Sequence, residues 1–514
     1  MKRALPSLLS GAVIALCGVV GRSFSRCGSL YMILDSAEWP KSLGLFLFWT
    51  AILAALIEGM FRYIEKTEPD NRPIPFPLAW AIVFVPWIPY LLCRPPLFGW
   101  DTMAQVDMFF GKVPLLNWQP LLPTLIYGLF AKAGYTGIHI LSVLQALGFS
   151  AALAYSVTRI KSAPRWLRLL FLALFALSPL FSVCGATVEK NIPYALFTLL
   201  FTVFAYETNI AGLTLSALMC VLMRHNGIHV VLPTIIVLMF ARSAPKKQLA
   251  IAAVLCVLSY VGVNNILVKA LHIPPVQATE AMLIPIQQTA RYASLYSAET
   301  PQSEKDVINK IVDYDTAARH YNPELADAVK KGGFQNPTEN PPAKDDLKNY
   351  FGVWAKQFKR HPLTYLEATL NNTHAYYSFY DSALGMRCLP AVNTYSETGV
   401  ENYAGVRFDH VFPDTTPNAV FRSLRKIEKK VLFFPLTAPF CRPALYTCLL
   451  LTVIAFAVRN GRRKLLALCL PSVLSFLVCI ASPVNGDFRY AIAYAVCVPF
   501  LFGLCFEKKE ASAD

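Results

Sequence analysis

The stretch LAIAAVLCVLSYVGVNNIL, residues 249–267, contains no charged residue. An α-helix needs roughly 20 apolar residues to cross a hydrocarbon core about 30 Å thick, so this stretch is long enough to span a membrane. The chain changes directly after it, because residues 268–430 form the only long water-soluble stretch among a series of apolar blocks. This order predicts a polytopic membrane protein with one sizeable domain held on one side of the bilayer.

The composition of the whole chain agrees with this prediction. Hydrophobic residues make up 55% of the sequence and charged residues only 15%, whereas a soluble domain carries about 25% charged residues. The mean hydropathy is +0.44. Further candidate spans are residues 5–20, 42–61, 76–93, 136–158, 169–184, 191–206, 436–458, 465–482 and 491–506.

Two shorter apolar runs, 211–223 and 228–241, flank the polar tetrad Arg224-His225-Asn226-Gly227. Each run is short for a full span, so we interpret them as a hairpin of short or broken helices. With this hairpin the fold class is predicted to be an all-α integral membrane protein with about twelve transmembrane helices.

Basic clusters predict the orientation, since Lys and Arg concentrate in the short cytoplasmic loops of membrane proteins. The clusters are Arg159-Lys161-Arg165-Arg168, Arg242-Lys246-Lys247, Arg459-Arg462-Arg463-Lys464, Lys508-Lys509 and the opening Lys2-Arg3. Placing them inside predicts a multi-pass membrane protein with both termini in the cytoplasm. The net charge of +15 then reflects topology and contact with membrane lipids. No basic-aromatic motif indicates nucleic acid as a partner.

These patterns divide the chain into three regions. They are an N-terminal transmembrane region (1–267), an extracytoplasmic domain (268–430) and a C-terminal transmembrane region (431–514). Helical patterns at 302–318, 346–360 and 363–380 predict a mainly helical domain that caps the membrane region. Most of the thirteen cysteines lie in apolar spans, and no C-x-x-C spacing suggests a metal. A bridge among Cys27, Cys388 and Cys441 stays open.

The outer loop 94–120 contains the first candidate for chemistry, in RPPLFGWDTMAQVD (residues 94–107). Asp101 lies just beyond a span and beside Trp100, where partial desolvation favours a raised pKa and a role as general base. The alternative is structural, since Asp before Thr-Met-Ala-Gln is also a good helix N-cap.

Three outward positions supply cations at membrane depth: Lys190, Arg224 and Arg489. Each alone is explained by a side chain that extends from a helix end toward water, and Glu189 and Asp487 are available as neighbouring ion-pair partners. Three cations at one face of a chain so poor in charge are harder to explain in this way. Together they suit the phosphate of a lipid-linked substrate.

Other residues of the outward loops are candidates for binding substrate. Trp118, in Asn117-Trp118-Gln119-Pro120, either anchors its loop at the interface or contacts substrate. Gln287, Gln288 and Arg291 either donate hydrogen bonds to sugar or phosphate or form an ordinary polar helix face. The remaining candidates are Trp100, Gln105 and Asp487.

The order of these segments resembles a family of bacterial polytopic membrane proteins related to the GT-C glycosyltransferases. The resemblance runs from about residue 76 to 506 and depends on short motifs. They are Trp100-Asp101, Trp118-Gln119-Pro120, Glu189-Lys190, Arg224-His225-Asn226-Gly227, Pro285-Ile286-Gln287-Gln288-Thr289-Ala290-Arg291 and Arg489-Tyr490.

The resemblance implies an enzyme that uses a polyprenyl-phosphate sugar donor and a glycan or glycolipid acceptor of the cell envelope, at the outer face. By this resemblance Asp101 deprotonates the acceptor hydroxyl, and Lys190, Arg224 and Arg489 offset charge on the departing phosphate. Many GT-C members have an adjacent acidic pair, whereas Thr102 follows Asp101 here. This difference predicts that neither a metal nor another cofactor is required.

Two other classes of function use the same residues. A transporter or flippase of lipid-linked saccharides needs the cations without Asp101 as a base, and a scaffold protein needs only the outer domain. The candidate charges lie at one face of the bilayer, whereas a transporter is expected to place ionisable groups near the midplane of several spans. The sequence therefore favours the glycosyltransferase.

Overall fold

All the regular secondary structure is helical in the part of the chain that the computed structural model describes. That part comprises residues 3–70, 72–240, 245–274, 282–333, 343–380, 418–482 and 484–508, without the side chains of Trp100 and residues 330–333. Two isolated β-bridges join Phe98 to Val188 and Leu325 to Val484. The all-α prediction is confirmed for these residues.

The N-terminal region is a series of helices, some long and straight and others interrupted at proline. They are α1 (Leu5–Cys27), α2 (Tyr31–Leu34), α3 (Trp39–Lys66), α4 (Phe76–Phe84), α5 (Ile88–Leu91), α6 (Trp100–Phe109), α7 (Leu121–Ala131), α8 (Gly134–Arg159), α9 (Arg165–Leu177), α10 (Pro179–Ala186), α11 (Asn191–Glu207), α12 (Ile210–Met223), α13 (Gly227–Met239), α14 (Lys246–Val261) and α15 (Val268–Ala270). A 3₁₀ turn (Val85–Trp87) joins α4 to α5, and a π-helical segment (Gly262–Leu267) joins α14 to α15.

The polar domain contains shorter helices. They are α16 (Leu283–Tyr296), α17 (Gln302–Asn309), α18 (Tyr314–Arg319), α19 (Ala326–Gly333), α20 (Lys344–Arg360) and α21 (Pro362–Asn371), with 3₁₀ turns at Ser297–Glu299 and His374–Tyr376. Helix α20 shows why these polar segments are helical. Asp345 and Asp346 lie in its first turn and Lys359 and Arg360 in its last, an arrangement that favours the helix dipole.

The last part of the chain begins with a basic helix, which crosses the predicted domain boundary at residue 430, and continues with apolar helices. Its helices are α22 (Ala419–Phe433), α23 (Pro443–Arg459), α24 (Arg463–Ile480), α25 (Phe488–Ala495) and α26 (Val498–Leu504), with a 3₁₀ turn at Ala438–Cys441. Pro443 occupies the first position of α23, where the missing N–H has no helical partner to lose.

Five helical stretches are long and apolar enough to cross a membrane, judged by length and composition. They are α1, α3, α8, α24 and the stretch Lys246–Ala270, and the bent pair α9–α10 makes a sixth if it is counted as one span. Six other apolar segments are shorter: Phe76–Leu91, Leu121–Ala131, Ile210–Met223, Gly227–Met239, Pro443–Arg459 and Phe488–Leu504. The expected total of about twelve crossings therefore stays a prediction.

Two breaks in apolar helices position the polar residues of interest. Helices α9 and α10 meet at 54°, because Pro179 cannot continue α9. The span predicted at 169–184 is therefore broken near its middle, and its crossing of a membrane stays a prediction. The predicted hairpin of short helices is confirmed, since α12 ends where Arg224 adopts an extended backbone and α13 starts at Gly227. A Cβ added to Gly227 would lie 2.1 Å from the carbonyl oxygen of Cys220, so this close turn needs glycine.

The chain buries two main apolar clusters. The larger one joins α3, α4, α8 to α14 and α23 to α26, and the fully buried Trp87, Phe149 and Phe181 belong to it. The second cluster lies within the polar domain and contains Ile286, Tyr314, Tyr350 and other buried residues of α16 to α20. The described residues between 282 and 353, which exclude 334–342, therefore share a core of their own, as a separate domain requires.

The polar domain is joined to the loop that precedes α25. Asn485 N donates to Glu324 O at 2.9 Å, and Asn372 Nδ2 donates to Ser482 O at 2.8 Å. Tyr376 is fully buried and donates from its hydroxyl to Val484 O at 2.9 Å. These bonds place the domain against residues 482–487, directly before Arg489.

Candidate functional site

A short backbone pairing brings two distant loops together. Gly99 N donates to Val188 O at 3.1 Å, and Thr102 Oγ1 donates to the same oxygen at 2.6 Å. This pairing places the start of α6 beside the loop between α10 and α11. That loop carries Glu189 and Lys190, which are far from α6 in the sequence.

Asp101 lies in the first turn of α6, and the N-cap of this helix is Gly99. The alternative that Asp101 caps the helix is therefore wrong. Glycine fits at the cap because a Cβ on Gly99 would lie 3.1 Å from Cγ of Glu189. The Asp101 carboxylate instead forms an ion pair with Lys190, with 2.9 Å between Oδ2 and Nζ.

Lys190 connects the Asp101 loop to the segment Asn117–Pro120. Its Nζ donates to Oε1 of Gln119 and lies 5.9 Å from the centroid of the Trp118 ring. The lysine side chain is only 10% exposed. Three candidates from separate parts of the sequence, Asp101, Trp118 and Lys190, are thus brought together.

Glu189 precedes Lys190 in the chain but contacts different partners. Its Oε1 accepts a hydrogen bond from Asn191 Nδ2 at 2.6 Å and lies 3.9 Å from Nη1 of Arg489. Its side chain is 1% exposed. The sequence left open whether Glu189 pairs with Lys190 or with another residue, and the structure gives Asn191 and Arg489.

Arg489 has a close acidic partner from its own loop. Its Nε lies 2.7 Å from Oδ2 of Asp487, so this sequence-predicted ion pair is confirmed. Asp487 also caps α25, because its Oδ1 accepts from Arg489 N at 3.0 Å. The guanidinium donates in addition to the Tyr490 hydroxyl at 2.9 Å. Arg489 therefore contacts acids from two different loops, Asp487 and Glu189.

Arg224 differs from the other two cations because it forms no ion pair with an acid in the described part of the chain. Its guanidinium carbon lies 5.5 Å from the ring centroids of both Tyr194 and Tyr490. Aromatic faces attract a cation without neutralising its charge. Tyr490 contacts both guanidinium groups, and of the two only Arg489 also pairs with acids among the described residues.

The pKa of Asp101 differs from the sequence prediction. Burial alone raises the pKa of this carboxyl, as expected for a desolvated acid, but the ammonium of Lys190 and the guanidinium groups of Arg489 and Arg224 outweigh burial. The net effect lowers the pKa below its usual range. The predicted raised pKa is therefore wrong for the protein without ligand, because the sequence did not place Lys190 at contact distance.

Glu189 shows the raised pKa that the sequence predicted for Asp101. Burial raises the pKa of Glu189 to about 7, since Arg489 offsets only part of the desolvation and the negative charges of Asp101 and Asp487 add to it. Burial also raises the pKa of Asp487. Sequence reasoning treated Glu189 only as an ion-pair partner, and no local pattern shows how deeply it is buried.

Several buried polar atoms beside these charged groups have no hydrogen-bond partner among the described residues. They are Gln105 Oε1, Asn117 Oδ1, Gln119 Nε2, Tyr127 OH, Asn191 Oδ1 and His225 Nε2. Gln119 and Asn191 directly contact Lys190 and Glu189. Buried polar groups are nearly always paired, so their concentration here is typical of a site for a polar ligand.

The predicted substrate-binding residues fall into two groups. Gln105 is fully buried behind Asp101 and donates to Thr124 Oγ1 at 3.0 Å, and Trp118 and Asp487 contact the cations as described. The side chain of Trp100 lies outside the described residues.

The second group lies within the polar domain. Gln287 donates to Asn322 O at 2.5 Å, Gln288 donates to Thr369 Oγ1 at 2.9 Å, and Arg291 pairs with Glu367 at 2.5 Å. The structure does not bring these three residues to the Asp101–Lys190 pair.

Metal ligands and cofactors were expected to be unnecessary. Within the described ranges, no three His, Cys, Asp or Glu side chains form a group that could hold a metal ion. The expectation stays a prediction.

Comparison with known proteins gives one match. A family model described as "Family of unknown function (DUF6020)" matches residues 112–514, which is well over half of the chain. The match includes Lys190, Arg224 and Arg489 and starts after Asp101. No curated protein and no solved structure matches the chain.

The ion pair between Asp101 and Lys190 can be tested by a double-mutant cycle. Lys190→Met leaves the carboxylate mostly buried without its close partner and is expected to lower the free energy of unfolding by roughly 2–3 kcal/mol. Asp101→Asn combined with Lys190→Met should recover at least half of this loss. The measurement is thermal unfolding of the purified protein in detergent.

The matched control is Lys310→Met, which breaks an exposed pair with Asp346 at 3.0 Å. Its expected cost is below about 1 kcal/mol. Strictly additive effects of the Asp101 and Lys190 changes would contradict the contact.

Glu189 predicts a pH dependence of stability. Because burial raises the folded-state pKa to about 7 from an ordinary value of 4.5, the folded protein keeps a proton that the unfolded chain releases. The stability from this proton is fully present below pH 4.5 and is lost as pH rises through about 7. Glu189→Gln should therefore reduce the fall in Tm across this window, as followed by tryptophan fluorescence. Glu68→Gln is the control. An equal fall in Tm in the wild type, Glu189→Gln and Glu68→Gln would refute the assignment of the raised pKa to Glu189.

Proposed function

We propose that this chain, which belongs to the DUF6020 family, is a membrane-embedded glycosyltransferase. It would move a sugar from a polyprenyl-phosphate donor to an envelope glycan or glycolipid at the outer face of the bacterial cytoplasmic membrane. The candidate spans, the resemblance to GT-C proteins and the convergence of Asp101 with three cations support this proposal.

The observation that carries the proposal is the surroundings of the Arg224 guanidinium. A guanidinium between two tyrosine rings and without an acidic partner among the described residues is a ready site for a phosphate oxygen. It lies close enough to Asp101 to help lower the pKa of that carboxyl. A phosphate bound by Arg224 would therefore lie beside the acid that can act on an acceptor.

The proposed reaction is a displacement at the anomeric carbon of the donor sugar. The acceptor hydroxyl oxygen forms a bond to that carbon while the bond from the carbon to the phosphate oxygen breaks. Polyprenyl phosphate leaves with the bonding electrons, and the hydroxyl proton passes to Asp101. Lys190, Arg224 and Arg489 stabilise the negative charge that grows on the phosphate.

The contact between Asp101 and Lys190 suggests an order of events. A carboxylate held by an ammonium at 2.9 Å is a weak base, because its pKa is far below the working pH. A donor phosphate competes with Asp101 for the same ammonium. In this scheme donor binding weakens the ion pair, raises the pKa of Asp101 and makes it competent before the acceptor reacts.

The topology belongs to the same proposal. Both termini lie in the cytoplasm, the chain crosses the membrane about twelve times, and residues 268–430 are extracytoplasmic. The hydrogen bonds between the polar domain and both Ser482 and Asn485 support this proposal, because these two residues closely precede Arg489 in the chain. The domain would then cover the site and limit access of water.

The second candidate is a transporter or flippase of lipid-linked saccharides. The broken helices favour it, because transporters often bind substrates where helices are interrupted. Both the bend at Pro179 and the turn at Arg224 are interruptions of this kind. The enzyme stays the leading proposal because a carrier would not require Asp101 as a base beside buried polar atoms that lack a hydrogen-bond partner among the described residues.

Asp101→Asn should abolish most sugar transfer in proteoliposomes supplied with radiolabelled polyprenyl-phosphate sugars and candidate acceptors. A general base typically accelerates a reaction by about 10²–10⁴-fold, so kcat is expected to fall by at least about 100-fold. Asp315→Asn, on the exposed surface of the polar domain, is the matched control and should keep full activity.

Undiminished transfer by Asp101→Asn would remove this residue from the mechanism. If no donor supports transfer and the lipid-linked sugar instead moves between leaflets, the transporter replaces the enzyme. Both results are read from the same vesicles.

Arg224→Gln should mainly weaken use of the donor. Loss of one charged contact to phosphate is expected to raise KM for the donor by roughly 10–100-fold, and Arg224→Lys should restore part of it. Steady-state kinetics with varied donor measures both values. An unchanged KM in a folded variant would show that Arg224 does not bind the donor.

A further inference from the structure

The N-terminus of helix α22 is hydrogen-bonded to residues 92–94, which precede the loop that contains Asp101. Asn418 caps the helix, because its Oδ1 accepts from Phe421 N at 3.0 Å. The same side chain donates from Nδ2 to Leu92 O at 2.9 Å, and Asn418 N donates to Arg94 O at 3.0 Å. The helix is therefore held beside residues 92–94, where the segment containing α4 and α5 ends.

One face of α22 packs on the protein. Phe421 and Glu428 are buried, and Leu424, Val431 and Leu432 contact the main apolar cluster. This face includes the only acidic residue of the helix. The burial of the apolar face fixes the direction in which the opposite face points.

The opposite face is basic and exposed. Its members recur every three or four residues, which places them on one side of the helix: Arg422, Lys426, Lys429 and Lys430. The three lysines form no ion pair with any described residue. We call these four residues the basic face of α22.

Exposed apolar side chains follow the basic face without a gap. The exposed fractions are 56% for Phe433, 54% for Phe434, 74% for Leu436 and 45% for Phe440. They lead into the apolar helix α23. Lys430 precedes Phe433 by three residues, about 4.5 Å along a helix axis. If lipid tails cover these side chains, the lysines lie at the level of the head groups.

We propose that the basic face of α22 binds anionic phospholipid head groups of the leaflet that surrounds Phe433 to Phe440. Charge complementarity decides the partner, because the face carries three exposed lysines that form no ion pair with any described residue, and its helix exposes no acid. The adjoining exposed phenylalanines place this charge at a bilayer and not in bulk water. The inference does not depend on the glycosyltransferase proposal.

The expected strength follows from the number of lysines. Each lysine near an anionic membrane surface strengthens attachment by roughly fivefold, so three strengthen it by about 100-fold. The attraction should weaken with salt, since the Debye length falls from about 10 Å at 0.1 M to about 3 Å at 1 M.

Hydrogen exchange of the full chain in nanodiscs tests this inference at the helix itself. In nanodiscs containing phosphatidylglycerol, the amides of residues 419–433 should exchange at least fivefold more slowly than in phosphatidylcholine alone. The triple variant Lys426→Gln, Lys429→Gln, Lys430→Gln should lose this difference. The conservative variant Lys426→Arg, Lys429→Arg, Lys430→Arg should keep it.

The matched control removes three exposed lysines from α20, by Lys348→Gln, Lys356→Gln and Lys359→Gln. This control should leave the lipid difference at α22 unchanged. Equal exchange of α22 in the two lipids would overturn the proposal, as would a difference that survives in the Gln variant. Exchange in phosphatidylcholine that matches wild type shows that the Gln variant still forms the helix.

Discussion

The contact between Asp101 and Lys190 depends on the pairing of two loops that are far apart in sequence. The bridge between Phe98 and Val188 fixes the distance between the two loops. The ion pair offsets the free-energy cost of holding both charges away from water. A buried charge without a partner costs several kcal/mol. Moving either loop away would leave the charge on the other loop unpaired, so each loop stabilises the position of the other. Electrostatics and backbone pairing thus stabilise the same arrangement of α6 against α11.

The helices could be predicted from the sequence because their signals are local. The runs 136–158 and 465–482 agree with α8 and α24 to within a few residues, since length and uninterrupted apolar composition determine both. The run 169–184 was expected to be one candidate span. Apolar composition does not distinguish a straight span from a bent one: the helix breaks by 54° before Pro179, whereas α24 continues through Pro471.

Some residues of the site could be predicted from the sequence, but which of their side chains contact one another could not. Lys190, Arg224 and Arg489 stand out by charge, whereas nothing near Lys190 in the sequence indicates that its partner is Asp101 and not the adjacent Glu189. In the structure Lys190 contacts Asp101, while Glu189 contacts Asn191 and Arg489. Burial then raises the pKa of Glu189, while the contact with Lys190 lowers that of Asp101. Position alone predicts a raised pKa for Asp101, whereas the structure gives the raised pKa to Glu189.

Under the proposed function, the charge balance of the site suits a phosphate. The site contains three acids and three cations, so positive and negative groups are equal in number. The acids are Asp101, Glu189 and Asp487, and the cations are Lys190, Arg224 and Arg489. A pKa of about 7 leaves Glu189 substantially protonated near neutral pH, which shifts the balance toward positive charge. Arg224, without an acid among the described residues, is where that excess is exposed to a ligand. An anion that binds there restores neutrality, and in doing so it competes with Asp101 for the cations that suppress its basicity.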